Sequence, residues 1–190
     1  MKSIKGKSRV KINVKRSIFI ATARRVDSVQ EARDFISGIK KEFNDATHNC
    51  WAFRVFESES VEEGFSDAGE PSGTAGIPIL NAIREKDLLN VAVVVTRYFG
   101  GVKLGTKGLK EAYHRAALKA LESAEIVNLR RVKIFKVEVT LEDYGRVIGR
   151  ISRNGKILAE DFSDTVVIAY SSEEPLIDGS VEIGERLVEW

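Results

Sequence analysis

Two stretches of this 190-residue chain combine residue types that could hold a ligand. The first is Phe65-Ser66-Asp67-Ala68-Gly69-Glu70-Pro71-Ser72-Gly73-Thr74-Ala75-Gly76-Ile77-Pro78. Small residues let a backbone turn sharply and approach a ligand closely, and Asp67 and Glu70 can accept hydrogen bonds or meet a basic partner. The second is Arg97-Tyr98-Phe99-Gly100-Gly101-Val102-Lys103-Leu104-Gly105-Thr106-Lys107-Gly108. It leads from an apolar run through a glycine-rich loop into an amphipathic pattern. That order suits phosphate, because a helix N-terminus offers unpaired N–H groups and a positive dipole end. Arg97, Lys103, Lys107 and Lys110 would bind phosphates, and Tyr98 would stack or orient. The stretch lacks GxxxxGK[ST] and the spacing of GxGxxG, so it is neither a P-loop nor a dinucleotide fingerprint. A plain tight turn is the competing explanation. The candidate binding residues are Asp67, Gly69, Glu70, Pro71, Gly73, Thr74 and Gly76, with Arg97, Tyr98, Gly100, Gly101, Lys103, Gly105, Thr106, Lys107 and Lys110.

His48 and Cys50 lie two residues apart and would project from one face of a strand. A Cys–His pair can be a nucleophile with its base, but a buried strand cysteine is the commoner arrangement, so no catalytic residue is assigned. His114 sits among basic residues and reads as solvated. Two separated histidines and a single cysteine give no transition-metal constellation, although Asp67 and Glu70 could hold a hard cation weakly. Neither metal nor cofactor is expected.

Composition excludes several classes. The chain is 43% hydrophobic and 31% charged, which fits a soluble globular protein. Its longest apolar run, Val91 to Val95, is far short of the ~20 residues of a membrane span, and no apolar stretch follows the basic start, so neither membrane association nor a signal peptide is expected. One cysteine fits a reducing, cytoplasmic setting. The net charge of +2 conceals segregation. Residues 1–25 carry nine bases and no acid, and residues 57–70 carry six acids and no base. Residues 96–133 hold nine bases against three acids, and residues 159–190 hold nine acids against one base. Basic faces attract phosphate-rich partners, and ordinary solvated faces are the alternative.

The elements that must carry these residues follow from periodicity. Lys11 to Arg24 reads as an early strand. Ser28 to Glu31 has capping-box spacing, and Ala32, Phe35, Ile36, Ile39 and Phe43 then mark a helix over about 28–43. Thr47 to Phe56 alternates as a half-buried strand, with Trp51, Phe53 and Val55 on one side and His48, Cys50 and Arg54 on the other. Ile77 to Arg84 reads as a short helix, Asn90 to Thr96 as a buried strand, and the stretch from Thr106 to Leu121 as an amphipathic helix. A second unit would begin near Arg130, with a strand over 135–141, a helical face over 144–151, and strands over 157–162 and 165–170. This β-α-β-β order is most of a ferredoxin-like unit, which needs a second helix near Glu173 to Asp178 and a last strand near Val181 to Val188.

Thr47-His48-Asn49-Cys50-Trp51-Ala52, the SDxGEPxGTAG stretch from Ser66 to Gly76 and the RYxGGxxLG stretch from Arg97 to Gly105 resemble the motifs of the IMPACT/YigZ family. The resemblance implies an α+β protein of two domains. Residues 1–128 would be similar to the ribosomal-protein domain-2-like fold, and residues 129–190 would form a ferredoxin-like βαββαβ domain. Eukaryotic members are translation regulators with an additional amino-terminal domain, which this chain is expected to lack. The resemblance therefore implies an RNA or other polyanion partner, with the ribosome or translation factors as its setting. The alternatives are an enzyme acting on a small phosphorylated or peptide substrate, with Asp67 or Glu70 as base, and a protein-interaction role through Glu57 to Glu70.

Overall fold

The computed structural model describes residues 1–57 and 59–189. It divides into two compact units, Met1–Leu129 with Glu189, and Arg130–Val188. In the first unit, strands β2 (Lys7–Val14), β3 (Ser17–Arg25), β4 (His48–Glu57), β5 (Ser60–Ser66) and β6 (Val91–Tyr98) form an antiparallel sheet in the order β2-β3-β6-β4-β5. A short β1 (Lys2–Ile4) pairs outside this sheet with the first residues of β7 (Ile126–Val139).

The helices cover the two faces unequally. β6 is central, so both of its faces are buried, and this explains its unbroken run of small apolar residues. Val91, Val93 and Val95 join Phe19, Ala21, Cys50 and Ala52 beneath α2 (Gly76–Glu85) and α3 (Gly105–Glu122). The alanines of α3, at 112, 116, 117 and 120, let the helix approach closely. On the opposite face, Ala92 and Val94 join Phe53 and Val55 beneath Phe35, Ile36 and Ile39 of α1 (Val29–Glu42). As expected, Trp51, Phe53 and Val55 share the α1 side while Cys50 turns away.

The early strand is in fact a hairpin. Lys11 to Arg24 is interrupted at Lys15-Arg16, where Lys15 takes a left-handed φ of 52°. Neither residue is a usual turn former, which hid the break from a sequence reading. β5 was also not expected, because five of its seven residues are exposed and two are glutamates on a sheet edge.

In the second unit, the latter part of β7 pairs with β9 (Val166–Ser172), and β9 with β8 (Lys156–Phe162), all antiparallel. β10 (Val181–Glu189) pairs with β7, so the strands run β10-β7-β9-β8, with α4 (Leu141–Asn154) packed against β8 and β9. The expected helix over Glu173 to Asp178 is absent. Pro175 and Gly179 sit in irregular backbone there, tied down instead by the Tyr170 hydroxyl, which accepts from the Leu176 N–H at 3.0 Å. The unit is therefore β-α-β-β-β and lacks the second helix of the expected βαββαβ pattern.

The N-terminus of α1 tests one local rule. Ser28 Oγ accepts from the Glu31 N–H at 3.1 Å, and the Glu31 carboxylate accepts from the Asp27 N–H at 2.6 Å. Replacing Ser28 by Ala should cost about 1 kcal/mol, measured by urea unfolding.

Candidate functional site

The two sequence stretches meet at one end of the first unit, each doing a different job. Asp67 closes the start of α2. Its carboxylate accepts from the backbone N–H groups of Gly73 (2.8 Å), Ala75 (2.9 Å) and Gly76 (2.8 Å). The residue at the cap position, Ala75, has no side chain to do this itself. Burial works to raise the Asp67 carboxyl, but the N–H groups of Gly73, Gly76, Ala75 and Thr74 outweigh it and hold it below the ordinary value. Gly76 must be glycine, since a Cβ there would lie 2.9 Å from the Ser66 backbone. Thr74 is buried, its hydroxyl donating to the Pro71 carbonyl at 2.6 Å.

Glu70 turns inward. One of its carboxylate oxygens accepts from Arg97 Nη1 at 2.6 Å and from the Tyr113 hydroxyl at 2.7 Å. Both members of the ion pair are buried, Glu70 at 8% exposure and Arg97 at 5%. The Arg97 guanidinium lies over the rings of Phe19 (5.5 Å) and Phe99 (5.3 Å), with Nη2 3.4 Å from Ser17 Oγ. Among the described residues, its Nε has no hydrogen-bond partner. A guanidinium held in this way is structural, so the expectation that Arg97 meets a ligand phosphate gives way to a role in joining the two loops.

His48 and Cys50 do project to the same place. Cys50 donates its thiol hydrogen to the Asp67 carbonyl at 2.9 Å, and burial, aided by Glu70 and Asp67, pushes its pKa up to about 12. Such a thiol is protonated at neutral pH and is not an activated nucleophile. His48 Nδ1 lies 3.0 Å from the Ala68 carbonyl, which requires the proton on Nδ1, and Nε2 lies 3.9 Å from Glu70. The Tyr113 hydroxyl is also pushed up, first by burial and then by Cys50 and Glu70. Among the described residues, no group of three or more His, Cys, Asp or Glu is placed to hold a metal ion.

The residues left facing outward are of another kind. Tyr98 donates its hydroxyl to Asp45 at 2.8 Å, leaving its half-buried ring fixed in place. Gly100 packs onto the β2–β3 turn so tightly that a Cβ would lie 1.8 Å from the Arg16 carbonyl oxygen. Gly69, Gly73, Gly101 and Gly105 have left-handed φ values that favour glycine. Pro71, Lys103, Thr106, Lys107 and Lys110 are exposed. Lys107 lies 3.9 Å from Glu111, and among the described residues no side chain caps the start of α3.

Two clefts flank α3. One, of about 320 Å³, runs beside Gly73, Ile77, Lys110 and His114. The other, of about 450 Å³, is lined by Val14, Lys15, Leu104, Gly108, Glu111, Ala112 and Arg115. Lys15, Arg16 and Arg115 were missing from the candidate set. The basic run over residues 1–25 was the signal for the first two, but only the hairpin carries them to the glycine loop. The acidic segment is largely engaged within the fold. Glu57 accepts from the Val29 N–H at 3.2 Å, and Glu63 pairs with Arg54 and Arg84.

This is a small α+β unit that pairs the main charges of its motifs inside and leaves lysines and arginines exposed around the glycine loop. Residues 15–121 match the model of the Impact N-terminal domain, and the chain belongs to the IMPACT family. It is 34% identical over 173 residues to the IMPACT family member YvyE of Bacillus subtilis (strain 168), covering 90% of this chain and 79% of that protein. It is 39% identical over 72 residues to Protein IMPACT-B of Xenopus tropicalis, covering 37% of this chain and 22% of that protein. A crystal structure described as that of a hypothetical protein is similar at a TM-score of 0.76 and 29% identity, covering 90% of this chain and 84% of that one. Among the described residues, no helix is long and apolar enough to cross a membrane.

The internal pairs make two predictions. Glu70→Ala should destabilise by about 3–5 kcal/mol, because it strands a buried guanidinium, while a Glu70→Met, Arg97→Met double variant should recover much of that in urea unfolding. The depressed Asp67 carboxyl contributes stability that is fully present above its unfolded value, near 3.8, and is lost as pH falls through its lower folded value. Asp67→Asn should therefore remove part of the acid limb of a stability-versus-pH curve.

Proposed function

We propose that this protein binds RNA, or RNA within a ribosomal particle, and acts in the regulation of translation. The observation that carries this reading is a convergence of cations at one end of the first unit. Lys15 and Arg16 on the hairpin turn, and Lys103 and Lys107 on the approach to α3, are all exposed, and Gly100 packs against the turn. These four side chains lie on the two segments that meet at Gly100, where phosphate oxygens can meet both N–H groups and positive charge. Membership of the IMPACT family supports the translational setting, since the eukaryotic members that the motifs resemble are translation regulators.

The enzyme alternative would require Asp67 or Glu70 as a base. Asp67 accepts three backbone hydrogen bonds, and Glu70 faces Arg97 and Tyr113, so both carboxylates already have structural partners. A role for the acidic segment in protein interaction is weakened in the same way by the pairing of Glu63.

Titration of ribosomal RNA fragments across salt concentrations tests the reading. The logarithm of affinity should fall with the logarithm of salt, by about 0.7–0.9 per phosphate contact. Lys103→Glu with Lys107→Glu should weaken binding and flatten that slope. Gly100→Ala should weaken it too, by displacing the Arg16 turn, while leaving the net charge unchanged. Absence of binding at low salt, or indifference to all three changes, would reject the proposal.

A further inference from the structure

We infer that the open face of β2 and β3 is a track for the backbone of single-stranded RNA, continuous with the basic end of the unit; this rests on the RNA-binding reading above. α1 packs over β4 and β6, leaving Lys7, Lys11 and Asn13 of β2 exposed and Ile18 and Ile20 of β3 half-buried on the same face. Tyr98 lies directly across from Ile18 on that face.

The charges on this surface are unusual for a sheet. Lys7 sits directly opposite Arg24 in the β2–β3 register, and both are exposed. Like charges placed opposite one another oppose folding. Neither these two nor Lys11 is in an ion pair among the described residues. Glu42 lies beside this row, its carboxylate taken by Arg9 in a two-pronged pair although its field also reaches Lys7, and Asp45 holds the Tyr98 hydroxyl. Arg24 rests its guanidinium over the Phe35 ring, 5.8 Å from the centroid.

Lysines on an edge strand also deter unwanted strand pairing, but that purpose calls for Lys7 and Lys11 alone. It leaves Lys7 facing Arg24, and the stacking of Arg24 on Phe35 neutralises neither charge. An anion lying along the face neutralises both. Lys7 and Lys11 stand about 13–14 Å apart, four residues of strand rise, with the Glu42-paired Arg9 between them, in a row leading toward Lys15 and Arg16. A linear array of cations beside a flat apolar strip of Ile18, Ile20 and the Tyr98 ring matches a polymer with a charged backbone and planar bases. An acidic protein segment would satisfy the charges without a use for the strip.

The test is fluorescence anisotropy of a labelled oligouridylate of roughly 12 nucleotides, within the range of single-strand sites. The wild type, Lys7→Glu with Lys11→Glu, and Lys103→Glu with Lys107→Glu are compared. The track predicts at least a tenfold loss for the first pair at about 0.1 M salt, with a salt slope smaller by about 1.4. Lys7→Glu alone should also weaken binding while keeping the melting temperature within roughly 2 °C of the wild type, because new attraction to Arg24 is set against repulsion from Glu42. Weaker binding in a variant of unchanged stability rules out loss of fold as the cause.

Unchanged binding in the Lys7, Lys11 variant, with loss in the Lys103, Lys107 variant, would overturn the track and leave the RNA reading standing. Tighter binding of a duplex than of the single strand would overturn it as well. Poly-glutamate binding as tightly as the oligouridylate, with the same dependence on Lys7 and Lys11, would replace RNA by an acidic protein partner. No binding of any polyanion by the wild type would overturn both readings together.

Discussion

The Glu70–Arg97 pair is the constraint around which one end of the first unit is built. A carboxylate and a guanidinium, both almost fully buried, lie 2.6 Å apart. Taking two charges out of water is costly, and a close pair offsets that only when further hydrogen bonds and geometry cooperate. Here Tyr113 of α3 supplies a second donor to Glu70, while Phe19 and Phe99 cover the cation. The pair thereby ties the loop after β5 to the last turn of β6 and to the middle of α3. Three segments distant in sequence must reach their places together for either charge to be satisfied, which favours one arrangement over looser ones.

That arrangement determines which charges remain for a partner. Asp67, Glu70, Glu63, Arg97 and Arg54 are all engaged within the fold. What stays outside is a row of lysines and arginines along β2, its turn, and the approach to α3. The near-neutral formal charge therefore says little about the surface, because several conspicuous charged residues of the motifs are turned inward. The proposed function draws on the charges that the interior leaves outside.

Much of this was legible in the sequence, for reasons that differ by element. α1, α3, α4 and β6 have strong periodicity or an unbroken apolar run, since each buries a well-defined face. The β2–β3 turn was not legible, because Lys15 reaches its left-handed conformation with neither glycine nor asparagine to announce it. β5 was hidden by its exposure, and the expected helix near Glu173 to Asp178 by a pattern borrowed from complete ferredoxin-like units. For the site, residue types marked two loops that the fold brings together, but not which of their charges turn inward. Arg97 carries the same charge as Lys103, and only its place on the inner face of β6, opposite His48 and Phe19, turns it away from solvent.

Gly100 shows how the interior and the surface are coupled. Its α-carbon presses on the Arg16 backbone so closely that any side chain would collide, and its neighbour Phe99 covers Arg97. A shift of this loop would thus move the hairpin turn on one side and uncover the buried ion pair on the other. The exposed cations of the β2–β3 turn and of the α3 approach consequently share one anchor. A ligand that orders the loop would stabilise the Glu70–Arg97 pair, and anything that loosens the pair would blur the spacing between the two cation groups. Binding and stability should be linked through this single contact rather than through the many exposed lysines.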